Sequence, residues 1–325
     1  MNQIELLGRS FAGKSVADYH VVRTDDIVYT KSPLKEYPYG IVKYNNGQDG
    51  IVSTLYAVYH HKDNVDGQFV EYYFTNPQRT NRYFKPIVRI GAKHDMKIGN
   101  EEVLDSFVVF PGLEEQRKIT EMLSLLDLRI AIQNKVIEKY ESLIKALRHH
   151  LFSTLESVKE VPVADLLSYE QPTKYIVSDT EYSNNTDLTP VLTANKAFIL
   201  GYTDEVEGIY DKGPCIILDD FTLDFKIVEF PFKVKSSAIK ILSAKTTVSL
   251  RYIFEYLKFL DLNTEEHKRH YIAEIEPMSI ELPEEDTIKS IAFLFDLMDK
   301  RRKGLERDQQ LLKSQKDYLL REIFI

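Results

Sequence analysis

The chain has 325 residues, of which 43% are apolar and 28% are charged, and its formal net charge is −8. This composition is typical of a folded protein and excludes an intrinsically disordered one. The lone cysteine, Cys215, excludes an internal disulfide and is typical of a reducing compartment. No apolar run has the length of a membrane span, and the first residues lack the layout of a signal peptide, so we predict a cytoplasmic protein.

The first 110 residues predict a mixed α/β domain. Strand-like runs "DIVYTKS", "YGIVKY" and "GIVSTLYAVYHH" precede an aromatic helix, "GQFVEYYF". Residues 76–97 then carry six Lys or Arg against one Asp. Such cations can hold phosphates, and Arg can also reach base edges in the major groove. The candidate DNA-binding residues here are Lys31, Lys35, Arg79, Arg82, Lys85, Arg89 and Lys93.

Residues 111–155 predict a long helix with a heptad seam. Apolar residues alternate at spacings of four and three for about four and a half heptads. A helix of this size would be about 60 Å long at about 1.5 Å per residue, so its apolar stripe needs a partner helix. The seam residues are Ile119, Leu123, Leu126, Ile130, Ile137, Ile144 and Leu147.

Residues 156–283 predict a second mixed domain with the same element order. Runs "GPCIIL", "FKIVEFPFKVK" and "AIKIL" precede the helix "LRYIFEYLKFL". Residues 226–251 carry six Lys or Arg against one Glu, which marks a second basic patch. The candidate DNA-binding residues of this domain are Lys196, Lys226, Lys233, Lys235, Ser236, Ser237, Lys240, Lys268 and Arg269.

Residues 284–325 repeat the first long helix. When Pro111 is placed over Pro283, the two segments align without a gap at an offset of 172 residues. The apolar seam continues at Phe295, Met298, Leu305, Leu312 and Leu319, while three polar residues recur every seven positions. We interpret this as a tandem duplication. The sequence therefore predicts an α+β fold in which two mixed α/β domains are separated by two long antiparallel coiled-coil helices with an approximate two-fold axis.

The chain resembles the specificity (S) subunits of type I restriction–modification enzymes over nearly its whole length. The resemblance rests on "PGLEEQRKI" at the first long helix, on its copy at 283–291, and on strings of the second domain such as "TPVLTANKAFILGYT", "DDFTLDFKIVEFPFKVKSSAIKIL" and "HKRHYI". It implies a first target recognition domain at 1–110 and a second at 156–283. The spacer helices would then be 111–155 and 284–325.

The resemblance also implies the partners. A specificity subunit reads a bipartite site on double-stranded DNA and docks methyltransferase subunits, expected to be two, while restriction subunits join through the complex. The chain itself is expected to be non-catalytic and to bind no cofactor or metal. S-adenosylmethionine, ATP and Mg²⁺ are expected on the partner subunits, and no G-x-x-x-x-G-K-[ST] occurs here.

Two alternatives remain open at the level of sequence. One is a coiled-coil adaptor whose globular ends bind protein, which the acidic net charge favours. The other is an anti-restriction decoy, a shortened S-like chain that captures methyltransferase without directing it. The first domain lacks a counterpart of "VADLLSYEQPTKYIV". This leaves a trimmed domain, a start downstream of the usual point, or a segment recruited from elsewhere.

Overall fold

The computed structural model describes residues 15–35, 37–90, 96–193, 198–262 and 270–324. The chain divides into two compact units. The first unit consists of Met1–Lys135 with Glu306–Ile325, and the second unit is Val136–Leu305. Each long helix therefore contributes one of its parts to each unit.

The first unit is built on small antiparallel sheets and two short helices. Its elements before the first long helix are β1 (His20–Val22), β2 (Ile27–Thr30), β3 (Ile41–Tyr44), β4 (Gly50–Val52), β5 (Tyr56–Tyr59), α1 (Gly67–Thr75), α2 (Pro77–Phe84), β6 (Arg89–Ile90) and β7 (Met96–Lys97). The main sheet has the order β3-β2-β5, and β1 pairs with β4. Tyr29 in the centre of this sheet stacks on Phe84 of α2 at 4.5 Å between ring centroids.

The start of helix α1 and its junction with α2 are set by the residues at these positions. The Asp66 carboxylate caps it by accepting the Phe69 N–H at 2.7 Å. Phe69, Tyr72 and Phe74 then bury the apolar side of the helix. Pro77 at the first turn of α2 fits a position where no N–H is needed, so α2 restarts immediately after α1.

The second unit follows the first long helix, α3 (Leu113–Ser153). Its elements are β8 (Lys159–Pro162), α4 (Val163–Leu166), β9 (Leu167–Glu170), β10 (Thr189–Leu192), β11 (Ile199–Thr203), β12 (Cys215–Asp219), β13 (Phe225–Val228), β14 (Lys233–Val234), β15 (Ile239–Ala244), α5 (Leu250–Phe259), β16 (Ser279–Leu282) and α6 (Glu285–Ile323). The main sheet has the order β13-β12-β15-β9, and β16 pairs with β8. Every residue of β12 is buried, so this strand forms the centre of the core.

The long helices pack antiparallel within each unit. In the first unit, Leu123 near the start of α3 clusters with Leu320 and Phe324 at the end of α6. In the second unit, Phe152 at the end of α3 stacks on Phe295 near the start of α6 at 6.4 Å between ring centroids. Both phenylalanines at the helix ends also pack on the aromatic helix of their own unit, α1 or α5.

The predicted fold class is confirmed: mixed helix-and-strand units are joined by two long helices. The helices start at Leu113 and Glu285, which are separated by the same 172 residues as the sequence repeat. The division into four domains made from the sequence stays a prediction, because the compact units group the helix halves with the globular parts.

Candidate nucleic-acid and partner interfaces

The first unit presents exposed cations beside α2. Arg82 lies on α2, Lys85 caps its end, and Arg89 starts β6; all three side chains are exposed. Within the described residues, none of them pairs with a carboxylate. Lys35 is also exposed, whereas Lys31 is half-buried and donates to the Asn100 amide oxygen at 2.6 Å. These cations can meet phosphates without first breaking an ion pair.

Arg79 differs from its neighbours on α2. Its guanidinium lies over the Tyr73 ring at 5.0 Å and over the Phe324 ring at 5.6 Å from the centroids. The side chain is half-buried, so it joins α2 to the end of α6 inside the first unit. The assignment of Arg79 to DNA binding stays a prediction.

Two lysines of the second basic patch are buried. Lys233 donates to the Glu205 carboxylate and to the Glu207 carbonyl oxygen, both at 2.6 Å. Lys240 lies 3.3 Å from the Asp220 carboxylate. Each lysine is thus neutralised inside the domain, because a buried ammonium requires a partner. Both lysines are buried, and their assignment to DNA binding stays a prediction.

The remaining candidate residues of the second unit differ in their exposure to solvent. Lys235, Ser236 and Ser237 form an exposed turn between β14 and β15. Lys226 is half-buried and pairs with Asp224 at 3.4 Å. The other candidates of the sequence lie outside the described residues: Lys93, Lys196, Lys268 and Arg269.

The aspartates of the acidic loop after β12 hold the local backbone by accepting hydrogen bonds. Asp219 accepts the backbone N–H groups of Phe221 and Thr222 at 2.9 and 3.1 Å. Asp220 accepts the N–H groups of His270 and Tyr271 at 3.1 and 2.8 Å. Across the described ranges, no group of three His, Cys, Asp or Glu side chains could hold a metal ion. Cys215 is buried, and burial raises the pKa of its thiol to about 12.

The predicted seam positions of both long helices point inward. Leu123, Phe295, Met298 and Leu305 are buried. The other predicted seam positions are half-buried: Ile119, Leu126, Ile130, Ile137, Ile144, Leu147, Leu312 and Leu319. Partial burial of these side chains is expected, because each helix of a two-helix seam is covered by only one partner helix.

The polar residues that recur in the α6 seam find partners. Lys316 donates to the Asp127 carboxylate of α3 at 2.5 Å, and its ammonium lies over the Tyr72 ring at 5.5 Å. Gln309 donates to the Asn134 side chain of α3. Arg302 pairs with Asp299 one turn earlier on α6, at 2.6 Å. Each of these three polar side chains therefore has a hydrogen-bond or ion-pair partner within its own unit.

The long helices also carry exposed apolar side chains away from the seam, which the heptad reading missed. On the first-unit part of α3 these are Met122, Leu125, Leu128 and Ile132. Others lie on the second-unit part of α3 and on α6: Leu143, Phe293, Leu297, Leu311 and Tyr318. The spacing of three and four residues from Met122 to Ile132 was the available signal on α3. Exposed apolar residues in such a row mark a surface for another protein.

Among the helices of the described chain, none is both long and apolar enough to cross a lipid bilayer.

Comparison with known proteins gives one sequence relative and several structural ones. No family model matches the chain. Over 132 residues it is 43% identical to the Type I restriction enzyme EcoR124I/EcoR124II specificity subunit of Escherichia coli. That match spans 39% of this chain and only 32% of the relative's length.

The structural likeness extends over nearly the whole chain. A crystal structure of a type I restriction–modification S subunit from M. genitalium matches with a TM-score of 0.63 and 14% identity, over 94% of this chain and 84% of that chain. A chain from work on complex assembly and conformational transition of the type I R-M system matches with a TM-score of 0.53 and 14% identity, over 96% and 84%. The predicted resemblance to type I restriction–modification specificity subunits is thereby confirmed, and the chain has the fold of a solved S subunit.

Proposed function

We propose that the chain is the sequence-specific DNA-binding specificity subunit of a type I restriction–modification complex. It reads a bipartite target on double-stranded DNA and docks methyltransferase subunits, two in the full assembly. Restriction subunits join through that complex, which works in the cytoplasm. The chain performs no chemistry itself, and S-adenosylmethionine, ATP and Mg²⁺ belong to the partner subunits.

One observation carries this proposal: a duplicated plan, with a mixed α/β module before each long helix, in the fold of an S subunit. Two copies of a DNA-binding module fit a bipartite DNA site, because each module can contact one part of it. The 43% identity to a specificity subunit over 132 residues supports the same reading.

Phosphate contacts are assigned to the exposed cations. In the first unit these are Arg82, Lys85, Arg89 and Lys35, and in the second Lys235 with the hydroxyls of Ser236 and Ser237. Arginine can in addition bind guanine O6 and N7 with two hydrogen bonds. Arg82 is the best placed for that role, because it is exposed on a short helix whose neighbours Arg79 and Phe84 are packed.

Methyltransferase docking is assigned to the exposed apolar rows of the long helices. Leu125 of α3 and Leu297 of α6 are equivalent at the 172-residue offset, and both are exposed. A pair of equivalent apolar positions suits two copies of one partner. An amphipathic partner helix could lay its apolar face along each row.

The test is to express the chain with its methyltransferase and restriction partners and to map methylated adenines in the host genome. The proposal expects one bipartite motif with a fixed gap. Arg82→Ala should relax the preference in one half of that motif only, because base contacts and not phosphate contacts carry the sequence preference. Methylation without any motif, or unchanged by the chain, would exclude a specificity subunit.

A second candidate is an anti-restriction decoy. It is favoured by the main sheet of the first unit, which has three strands among the described residues where that of the second unit has four. A decoy would bind methyltransferase in sizing experiments while genomic methylation disappears. A protein-binding adaptor would instead show no shift of duplex DNA, with or without the methyltransferase.

A further inference from the structure

Polar contacts join the aromatic helix of the first unit to both long helices. The Tyr72 hydroxyl of α1 donates to the Asp127 carboxylate of α3 at 2.9 Å. The Lys316 ammonium of α6 donates to the other oxygen of the same carboxylate and lies over the Tyr72 ring. Burial and the Asp127 contact raise the pKa of the Tyr72 hydroxyl, so this group stays protonated well above neutral pH. Three helices therefore meet at one carboxylate, which we call the polar joint of the first unit.

The second unit has a polar joint of the same kind. Arg251 of α5 donates to Asp296 of α6 at 2.7 Å, and its guanidinium lies 3.7 Å from the Asp299 carboxylate. Glu255, one turn later on α5, accepts from Arg148 of α3 at 2.7 Å. Arg251 and Glu255 are buried. The aromatic helix of this unit is thus also held to both long helices by directed polar bonds.

The sequence repeat relates the two polar joints. Asp299 corresponds to Asp127 at the 172-residue offset, and each carboxylate faces the aromatic helix of its own unit. The group on the aromatic helix differs, because it is the Tyr72 hydroxyl in the first unit and the Arg251 guanidinium in the second. Two different sets of side chains therefore make the same connection.

Apolar packing of the helices alone does not define an angle with the precision that a DNA site requires. Apolar attraction is non-directional, and packed helices cross at angles that scatter by about 15–20°. In a domain with a radius of gyration of about 13 Å, a rotation of about 15° moves the surface by roughly 3.4 Å, which is one base-pair step. Directed polar bonds restrict such a rotation, because it would leave a buried donor without its acceptor.

We propose that the two polar joints are positioning sites, which hold each module at one angle on the long helices and thereby restrict the gap between the two halves of the DNA target. Tyr72 with Asp127 does so in the first unit, and Arg251 with Asp296 in the second. This role rests on the proposed function, because a gap exists only if the chain reads a bipartite site. These residues need not touch DNA, since they act through the module that they orient.

The test uses the complex of the full chain with its methyltransferase subunits, after genomic mapping has given the two half-sites. Methylation rates are measured on duplexes that hold both half-sites at the parental gap, or at a gap one base pair shorter or longer. The variant is Tyr72→Phe, which removes one hydroxyl and keeps the buried ring. We expect its preference for the parental gap to fall roughly two- to tenfold, the range of one intramolecular hydrogen bond. The preferred bases of both half-sites should stay the same.

Tyr73→Phe is the matched control on the same helix. The Tyr73 ring packs on Phe110 and Phe324, and in the described chain its hydroxyl has no hydrogen bond to a carboxylate of a long helix. This variant should keep the parental gap preference. An unchanged gap preference in Tyr72→Phe, even with a lower unfolding midpoint, would show a merely structural role and would overturn the proposal for the first unit. Equal relaxation in both variants would overturn it as well.

The second unit provides an independent test at Asp296. Its side chain is 52% exposed, so Asp296→Asn should fold normally while it weakens the contact with Arg251. We expect the same relaxed gap with both half-sites retained, and an unchanged gap preference would exclude the joint of the second unit. A parent complex that methylates without any bipartite motif would instead refute the proposed function, and this role with it.

Discussion

At the scale of single residues, arginines three positions apart on α2 separate two roles. Arg82→Ala should weaken DNA binding of the assembled complex by about 1–3 kcal/mol if the side chain reads a base, with relaxed preference at one position. Arg79→Ala should instead lower the unfolding free energy by about 0.5–2 kcal/mol, because it removes the contact with Tyr73 and Phe324. Quantitative DNA binding and denaturant unfolding of both variants check this; equal effects in both measurements would contradict it.

The ion pair of Lys233 predicts a stability difference that depends on pH. The hydrogen bond from Lys233 holds the pKa of the Glu205 carboxyl below its usual range. A carboxyl whose pKa is lower in the folded state stabilises the fold above its unfolded pKa and loses that contribution as pH falls through its folded pKa. Glu205→Gln should therefore be less stable than the parent near pH 7.

This difference should shrink below about pH 4, where the carboxyl of the unfolded parent also takes up protons. Urea unfolding at several pH values measures it. Glu207→Gln is the matched control, because the Glu207 side chain is exposed and only its carbonyl accepts from Lys233. A Glu205→Gln deficit that stayed constant with pH would show that the pair contributes by packing and not by charge.

The burial of Lys233 and Lys240 could not be predicted by counting charges along the basic patch. Their acids, Glu205 and Asp220, lie on other parts of the chain and join them only through the fold. The contact of Arg79 with Phe324 could not be predicted either, since Phe324 lies at the far end of the sequence. Local composition detects a cation, but the sequence does not show which acid or ring folds against it.

At the scale of elements, the helices were the most predictable part. A heptad pattern depends only on spacing along one helix, so the inward positions could be read from the sequence. The pairing of Gln309 with Asn134 and of Lys316 with Asp127 was not predicted, because it depends on the alignment of the two helices. The exposed apolar rows were not predicted, because the heptad analysis considered only the apolar residues that lie on the seam.

The two faces of α3 give opposite predictions. Leu123→Ala should cost about 2–5 kcal/mol of stability, because this side chain is fully buried in the first unit. Leu125→Asp should leave stability nearly unchanged and should weaken methyltransferase docking, because Leu125 is exposed. Unfolding curves and sizing of the complex separate the two variants. A Leu125→Asp chain that still forms the full complex would remove α3 from the docking surface.

At the scale of the whole molecule, the net charge of −8 is compatible with DNA binding because acidic and basic groups are unevenly distributed. Lys233 and Lys240 pair with acids inside the second unit, whereas exposed cations such as Arg82 pair with no carboxylate among the described residues. The affinity of the assembled enzyme for its site should fall as a power of salt concentration. The logarithmic slope should be about −0.9 for each phosphate neutralised. Titration over a range of salt concentrations measures this slope.

Replacing Arg82, Lys85 and Arg89 together by alanine should make that slope shallower by roughly one for each lost phosphate contact. The control is Lys212→Ala, a cation already paired with Glu170 at 2.7 Å. A slope that does not change in the triple variant would exclude these residues from phosphate contact.

The charged pair of Asp127 and Lys316 has a consequence for which helices can associate at all. Asp127 belongs to α3 and Lys316 to α6, and each sits at the interface between them. If α6 were to meet another α6 in a crowded cell, Lys316 would lose this acid and keep its desolvation cost. Association of two α6 helices is thus disfavoured by the mismatch of charge, and pairing of α3 with α6 is favoured.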